Sequence, residues 1–119
     1  MSSEASHVIA YTVFPNRSEA LAMARSAVER QLAASVQLYE TTGIRPVDGH
    51  VDEVTQYVLE MRTATPMIQA LKAHVLTHHK DELVEFVVVP IVAANEKYLG
   101  WIDDYVDERR TLQPSGAGS

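Results

Sequence analysis

Four of the five histidines stand where they could bind a metal ion or move protons. His74 and His78 are four residues apart, so a helix there would place both imidazoles on one face. His79 follows directly, and neutral imidazole is a preferred ligand of Cu(II) and Zn(II). The spacing predicts a divalent metal site at these three residues. The alternative is a solvated helix end, where histidine interacts favourably with the helix dipole.

A second polar group falls on segments that have the period of β-strands. Glu60 and Arg62 are two residues apart and therefore share one face of their strand. Arg45 and His50 flank a turn that contains Asp-Gly. We predict that these four residues contact a small anionic ligand at a subunit boundary, with Arg62 as anchor because its planar fork matches a carboxylate. The alternative is that Glu60 and Arg62 form ion pairs between subunits.

Composition excludes several other chemistries. The 119 residues include no cysteine, which excludes thiolate metal sites, disulfides and a cysteine nucleophile. Sixteen acidic and ten basic residues give a net charge of −6, which argues against binding to nucleic acids or to anionic membranes. No apolar stretch approaches the roughly 20 residues that cross a bilayer, and the N-terminus lacks an export signal. We therefore expect a cytoplasmic protein whose candidate cofactors are Cu(II) and Zn(II).

Local patterns define the elements that must position these residues. Strands are predicted at residues 8–14, 35–44, 51–62 and 83–92, with a hairpin turn at 45–50. Asn16 predicts an N-cap for a helix that runs to about Ala34, with Leu21, Ala24, Val28 and Leu32 as its apolar stripe. Thr65 before Pro66 predicts the start of a second helix that ends near His78 or His79. Asn95 predicts the cap of a last helix.

This order predicts an α+β fold, the ferredoxin-like β-α-β-β-α-β sandwich, with an extra C-terminal helix. Helices of that fold cover one sheet face. Apolar side chains on both faces of the long strand, such as Leu59 opposite Val58, predict that the second face meets another chain. We expect one domain over residues 7–108, a flexible N-terminus at 1–6 and a flexible tail at 109–119.

Several segments between residues 8 and 106 carry a family resemblance. They are Pro15 with Glu19-Ala20, Gln31-Leu-Ala-Ala-Ser35, Glu60-Met-Arg-Thr63, Val87-Val-Val-Pro-Ile91 and Asn95-Glu-Lys-Tyr-Leu-Gly-Trp-Ile102. Together they resemble the CutA family, the divalent-cation tolerance proteins. The resemblance implies a homotrimer of ferredoxin-like subunits, similar to the PII architecture, and a link to copper and other divalent ions. Ser35 stands where the family commonly has cysteine, and the segment from His78 to Glu85 lacks the family's His-Pro-Tyr.

Two function classes stay open at this point. The first is a non-enzymatic CutA-like trimer that binds metal or a small effector at the subunit boundary. The second is a cofactor-free small-molecule enzyme, either CutA-like with an altered pocket or similar to the dimeric α+β barrels. The sequence favours the first, and the mass in solution separates them, because a trimer supports the first class and a dimer the second.

Overall fold

The strands and helices follow one another in the predicted order. A computed structural model describes residues 5–112 of the chain. Its elements are β1 (His7–Phe14), α1 (Arg17–Glu29), β2 (Ser35–Val47), β3 (His50–Ala64), α2 (Ile68–His78), β4 (Phe86–Pro90) and α3 (Glu96–Leu112), and a 3-10 turn (Thr65–Met67) leads into α2. The predicted flexible ends lie mostly outside the described residues and stay predictions, while residues 109–112 fall within α3.

The four strands form one antiparallel sheet in the order β2-β3-β1-β4. Inward residues of the strands pack with α1, α2 and α3 into one core, which includes Leu59, Met61, Leu71, Val75 and Val106, all fully buried. The alternate residues of each strand point to the opposite face. This arrangement confirms the ferredoxin-like α+β fold with its extra C-terminal helix.

The hairpin of β2 and β3 is longer than its sequence pattern predicted. The two strands stay paired up to Val47 and His50, so the turn consists of Asp48 and Gly49 alone. Both turn residues have positive φ, 49° and 86°, as a type I′ turn requires. That turn matches the twist of the flanking strands, and therefore Arg45 and Pro46 belong to β2 rather than to a loop.

Helix α1 begins as predicted but ends early. Asn16 Oδ1 accepts a hydrogen bond from the Glu19 amide at 2.9 Å and caps the helix. The helix ends at Glu29, because Gln31 turns into the left-handed region with φ of 59°. The predicted stripe was also wrong in part, since Leu21 faces solvent. The buried face consists of alanines and one methionine, which allow a close approach to the sheet: Ala20, Met23, Ala24 and Ala27.

Two other boundaries differ from the predictions. Thr65 does not cap α2, because its hydroxyl donates to the carbonyl of Ala5. Strand β4 covers only Phe86–Pro90 of the predicted 83–92. Its pairing with β1 ends at Thr12, and the next carbonyl along β1, that of Val13, accepts a hydrogen bond from His79 instead. Pro90 is tolerated there because β4 is an edge strand.

Candidate functional site

A hydrogen-bonded cluster of Tyr39, Glu60 and Arg62 lies on the sheet face that the helices leave uncovered. Tyr39 Oη donates to Glu60 Oε2 at 2.7 Å, and Arg62 Nη2 donates to Glu60 Oε1 at 3.1 Å. The side chains of Glu60 and Arg62 are each 19% exposed. Arg62 Nη1 is buried and has no hydrogen-bond acceptor among the described residues. We call these three residues the sheet-face cluster.

Strand register brings the cluster together. Tyr39 on β2 lies opposite Val58 and is therefore a diagonal neighbour of Glu60 on β3. The Glu60 carboxylate raises the pKa of Tyr39 to about 12, because the hydrogen bond to it holds the phenolic proton. The cluster therefore places a carboxylate and a guanidinium on a sheet face that is polar along β2 and apolar along β1 and β4.

The hairpin end lies far from this cluster. Arg45 faces Asp52, which is eight residues from Glu60 along β3, or about 26 Å at 3.3 Å per residue. His50 is exposed and its Nε2 lies 3.3 Å from Asp52 Oδ2. Within one chain, Arg45 and His50 therefore lie far from Glu60 and Arg62. The four residues that we predicted to contact a ligand do not line one pocket of a single chain.

His74 and His78 lie side by side on α2. Their ring centroids are 4.4 Å apart. His74 Nε2 and Ser26 Oγ on α1 share a hydrogen bond of 2.8 Å, while His78 Nδ1 donates to the His74 carbonyl oxygen at 2.8 Å. Burial lowers the pKa of His74, and electrostatic interaction with His78 and Arg30 lowers it further. We call Ser26, His74 and His78 the helix cluster.

His79 has a different environment from its neighbours. Its side chain is 3% exposed, stacks on Phe14 at a centroid distance of 4.3 Å and donates from Nε2 to the Val13 carbonyl at 2.7 Å. It therefore packs against the end of β1 and does not join the helix cluster. Over residues 5–107, no three His, Cys, Asp or Glu side chains are grouped so as to hold a metal ion.

The chemistry of the helix cluster nevertheless fits a divalent ion. Two imidazoles are borderline ligands that suit Cu(II), Zn(II) or Ni(II), with water completing the coordination. His78 lines two surface cavities, of about 330 Å³ and about 590 Å³, and His74 lines the larger. An ion can therefore reach the rings from solvent.

Two contacts escaped sequence reasoning. Ser26 meets His74 across 48 residues, and His7 Nε2 lies 2.8 Å from Asp103 Oδ1 across 96 residues. No local spacing links such pairs. The contact of Tyr39 with Glu60 was predictable from the sequence. A two-residue turn at Asp48-Gly49 fixes the strand register, and that register makes Tyr39 a diagonal neighbour of Glu60.

Comparison with known proteins decides the family. The profile of the CutA1 divalent ion tolerance protein family matches residues 8–105. The chain belongs to the CutA1 family. This match confirms the resemblance to the CutA family that separate segments of the sequence indicated.

Relatives within the CutA1 family support this assignment. The CutA homolog of Xenopus laevis is 36% identical over 100 residues, which cover 83% of this chain and 66% of that protein. The divalent-cation tolerance protein CutA of Thermus thermophilus is 33% identical over 96 residues, which cover 80% of this chain and 92% of that protein. The chain spans between about half and two thirds of several vertebrate and plant relatives, for example 53% of the mouse protein.

Solved CutA1 structures share the fold. CutA1 of Thermus thermophilus superposes with a TM-score of 0.75 at 30% identity, covering 81% of this chain and 94% of that one. CutA1 of a Shewanella species superposes with a TM-score of 0.81 at 27% identity, and the match covers 86% of this chain and 96% of that one. A structural neighbour from Archaeoglobus fulgidus, 23% identical, is described as periplasmic, so the predicted cytoplasmic location stays a prediction. No helix in the described part of the chain is long and apolar enough to span a membrane.

Proposed function

We propose that this chain is a homotrimeric divalent-ion tolerance protein that acts by binding rather than by catalysis. The observation that carries the proposal is the sheet face opposite the helices. Among the described residues this face is uncovered, carries apolar side chains on β1 and β4, and has on the inner strand β3 the buried Arg62 Nη1, which lacks an acceptor.

The apolar part of that face lies on β1 and β4. Val87 and Val89 on β4 are 48% and 41% exposed, and they flank the partly buried Tyr11 and Ile9 on β1. A continuous apolar sheet face of this kind is typical of a surface that another chain covers.

The hairpin offers a second contact surface. β1 pairs with β3 only between Tyr57 and Ala64, so within residues 5–112 the half of the hairpin nearer the turn has no further strand beside it. Ile44 and Val51 on that half are 64% and 69% exposed. A projecting strand pair with free edges can pair with the sheet edge of another copy. We propose that three copies exchange these contacts around the uncovered sheet face.

Arg62 favours the same assembly. A buried donor without an acceptor costs about 1–3 kcal/mol or more when it is charged, so Nη1 needs a partner that the described residues do not supply. A neighbouring copy that covers the sheet face would supply an acceptor. The small anionic ligand predicted from the sequence is the competing source.

The ion part of the proposal rests on relatives and on ligand chemistry. The Thermus relative is described as a divalent-cation tolerance protein. This chain has no cysteine, so it lacks the thiolate ligands that soft Cu(I) prefers. We propose that it binds Cu(II) or Zn(II) through imidazole nitrogen, and that it does so in the cytoplasm, which cell fractionation would check.

Sedimentation equilibrium at micromolar concentration tests the assembly. We expect a mass near three times the 13.2 kDa of one chain. A stable monomer would contradict the proposal. A dimer would favour the alternative, a cofactor-free enzyme with the arrangement of an α+β barrel.

A further inference from the structure

We infer that the cavity between α1 and the end of α2 is a binding site for a small uncharged aromatic molecule that carries one N–H or O–H donor. The cavity has a volume of about 330 Å³, and the residues that line it include Phe14, Glu19, Ala22, Met23, His78 and Lys80. The inference goes beyond the proposed function, because it concerns an organic ligand on the helix side of the sheet.

The floor of the cavity is apolar and held in place. Phe14 and Met23 line it and are only 3% and 4% exposed. The Phe14 ring is stacked on His79 at a centroid distance of 4.3 Å, and His79 Nε2 donates to the Val13 carbonyl oxygen at 2.7 Å. An aromatic ligand suits this floor, because aromatic rings make favourable contacts with one another and with methionine sulfur.

His78 supplies the cavity with a hydrogen-bond acceptor. Its Nδ1 donates to the His74 carbonyl oxygen at 2.8 Å, so the neutral ring carries its proton there and keeps a lone pair on Nε2. Nε2 has no hydrogen-bond partner among the described residues. An N–H or O–H group on the ligand can donate to this nitrogen, and that contact gives the ligand its one polar requirement.

The charges at the rim of the cavity cancel. Lys80 Nζ lies 3.2 Å from Glu19 Oε2. The hydrogen bond from Lys80 lowers the pKa of Glu19, so both partners are charged at neutral pH. An anionic ligand would compete with Glu19 for Lys80, and a cationic ligand would compete with Lys80 for Glu19. The rim therefore favours an uncharged ligand.

The size of the cavity sets the size of the ligand. An apolar protein cavity of about 150 Å³ holds a benzene ring, so about 330 Å³ accommodates two fused rings. Ala22 is exposed and borders the cavity, which gives a ligand access from the side of α1. The proposed assembly uses the opposite face of the sheet. The structural alternative is that the cavity is only a gap that the small side chain of Ala22 leaves between the helices.

Indole is the probe, because it has two fused rings, no charge and one N–H donor. The experiment uses the full chain with ¹³C-labelled methionine methyl groups, in EDTA so that no ion occupies His78. Indole should shift the Met23 methyl signal saturably through its ring current. Met61 and Met67, which are buried but do not line the cavity, should keep their signals. No shift of the Met23 methyl up to the solubility limit of indole would overturn the inference.

Ala22→Leu tests the location of the site. The larger side chain would fill the cavity from an exposed position on α1, so the saturable shift should disappear. Ala73→Leu is the matched control and should leave the affinity for indole unchanged, because Ala73 is an exposed alanine on α2 that borders the other cavity. Circular dichroism would verify that both variants are folded. The same affinity for indole in Ala22→Leu and in the unaltered chain would place the binding elsewhere and overturn the site.

1-Methylindole tests the contact with His78. It has no N–H donor and should bind about threefold to tenfold more weakly than indole, as expected for the loss of one hydrogen bond. His78→Ala should remove this difference, whereas His50→Ala, which removes an exposed histidine on the hairpin, should preserve it. Equal affinities of the two probes for the unaltered chain would overturn the role of His78. Tighter binding of benzoate than of indole would overturn the preference for an uncharged ligand.

These outcomes are separate from those that test the proposed function. The mass in solution is measured without indole, so failure of the indole titration leaves the trimer proposal standing. A stable monomer that binds indole at Met23 would overturn the trimer and leave this inference standing.

Discussion

Glu60 is the central residue of the sheet-face cluster because it satisfies two donors at once. Its carboxylate accepts from the Tyr39 phenol and from the Arg62 guanidinium, one on each oxygen. Removing Glu60 would leave the Arg62 charge partly buried without its counter-ion, which is far more costly than removing the whole pair. The cluster therefore fixes the position of Arg62, whose Nη1 has no acceptor among the described residues.

Tyr39 should make stability depend on alkaline pH. Its folded pKa is about 12 against an ordinary value of 10.0. Between these values the unfolded chain loses the phenolic proton while the folded chain keeps it, so the free energy of unfolding should fall as pH rises from about 10 to about 12. Urea unfolding at several pH values would measure this.

The control for that measurement is Tyr39→Phe. Without the hydroxyl, the part of the alkaline decline that Tyr39 causes should disappear. Tyr98→Phe, which removes another exposed phenol, should leave the decline unchanged. An identical alkaline slope in the Tyr39→Phe variant and the unaltered chain would show that the bond to Glu60 is too weak to matter.

At the level of elements, two glycines have opposite roles. Gly49 adopts φ of 86° in the hairpin turn, whereas Gly100 lies inside α3. Apart from its chain neighbours and, for Gly100, the backbone of its own helix, a methyl group at either position would meet no atom within 4 Å in the described part of the chain. Any difference between alanine substitutions at the two sites must therefore come from the backbone.

Gly49→Ala should destabilise the chain, and Gly100→Ala should stabilise it. The first forces alanine into the left-handed region at about 1–2 kcal/mol, while the second removes unfolded-state entropy and should gain about 0.5–1 kcal/mol. Midpoints of urea unfolding would measure both. A destabilised Gly100→Ala would indicate that a neighbouring copy packs on that side of α3.

The sequence predicted the elements better than it predicted their ends. Periodicity identifies an element, but its limits depend on distant partners. Leu32 continues the apolar period of α1, although the helix has already ended at Glu29. Leu83 extends a β-rich run, but its side chain is 91% exposed because β1 is too short to pair with it. The same reason explains the site: His74 and His78 share a helix, while Ser26 is added by tertiary packing.

At the scale of the whole molecule, a single chain exposes two surfaces that another copy can cover: the sheet face opposite the helices and the outer half of the hairpin. In the part of the chain that the structure describes, nothing covers Val87 and Val89 on the sheet face, and no strand beyond β2 and β3 themselves pairs with the outer half of the hairpin. The two surfaces belong to one sheet, in which β1 lies between β4 and the β2-β3 hairpin. An assembly in which one copy's hairpin reaches the next copy's sheet would complete both and would bury the sheet-face cluster.

Arg62→Met should therefore weaken the assembly. In an isolated chain the unsatisfied Nη1 donor is a cost, and in the trimer it gains an acceptor, so removing it should favour dissociation. A charge-assisted contact of about 1.5–3 kcal/mol corresponds to roughly a tenfold to hundredfold change in the dissociation constant. Sedimentation over a concentration series would measure it, with Arg25→Met on the exposed side of α1 as control. If Arg62→Met stays trimeric at the same concentrations but loses affinity for a small carboxylate such as citrate, Arg62 is a ligand anchor, and its acceptor does not come from a neighbouring copy.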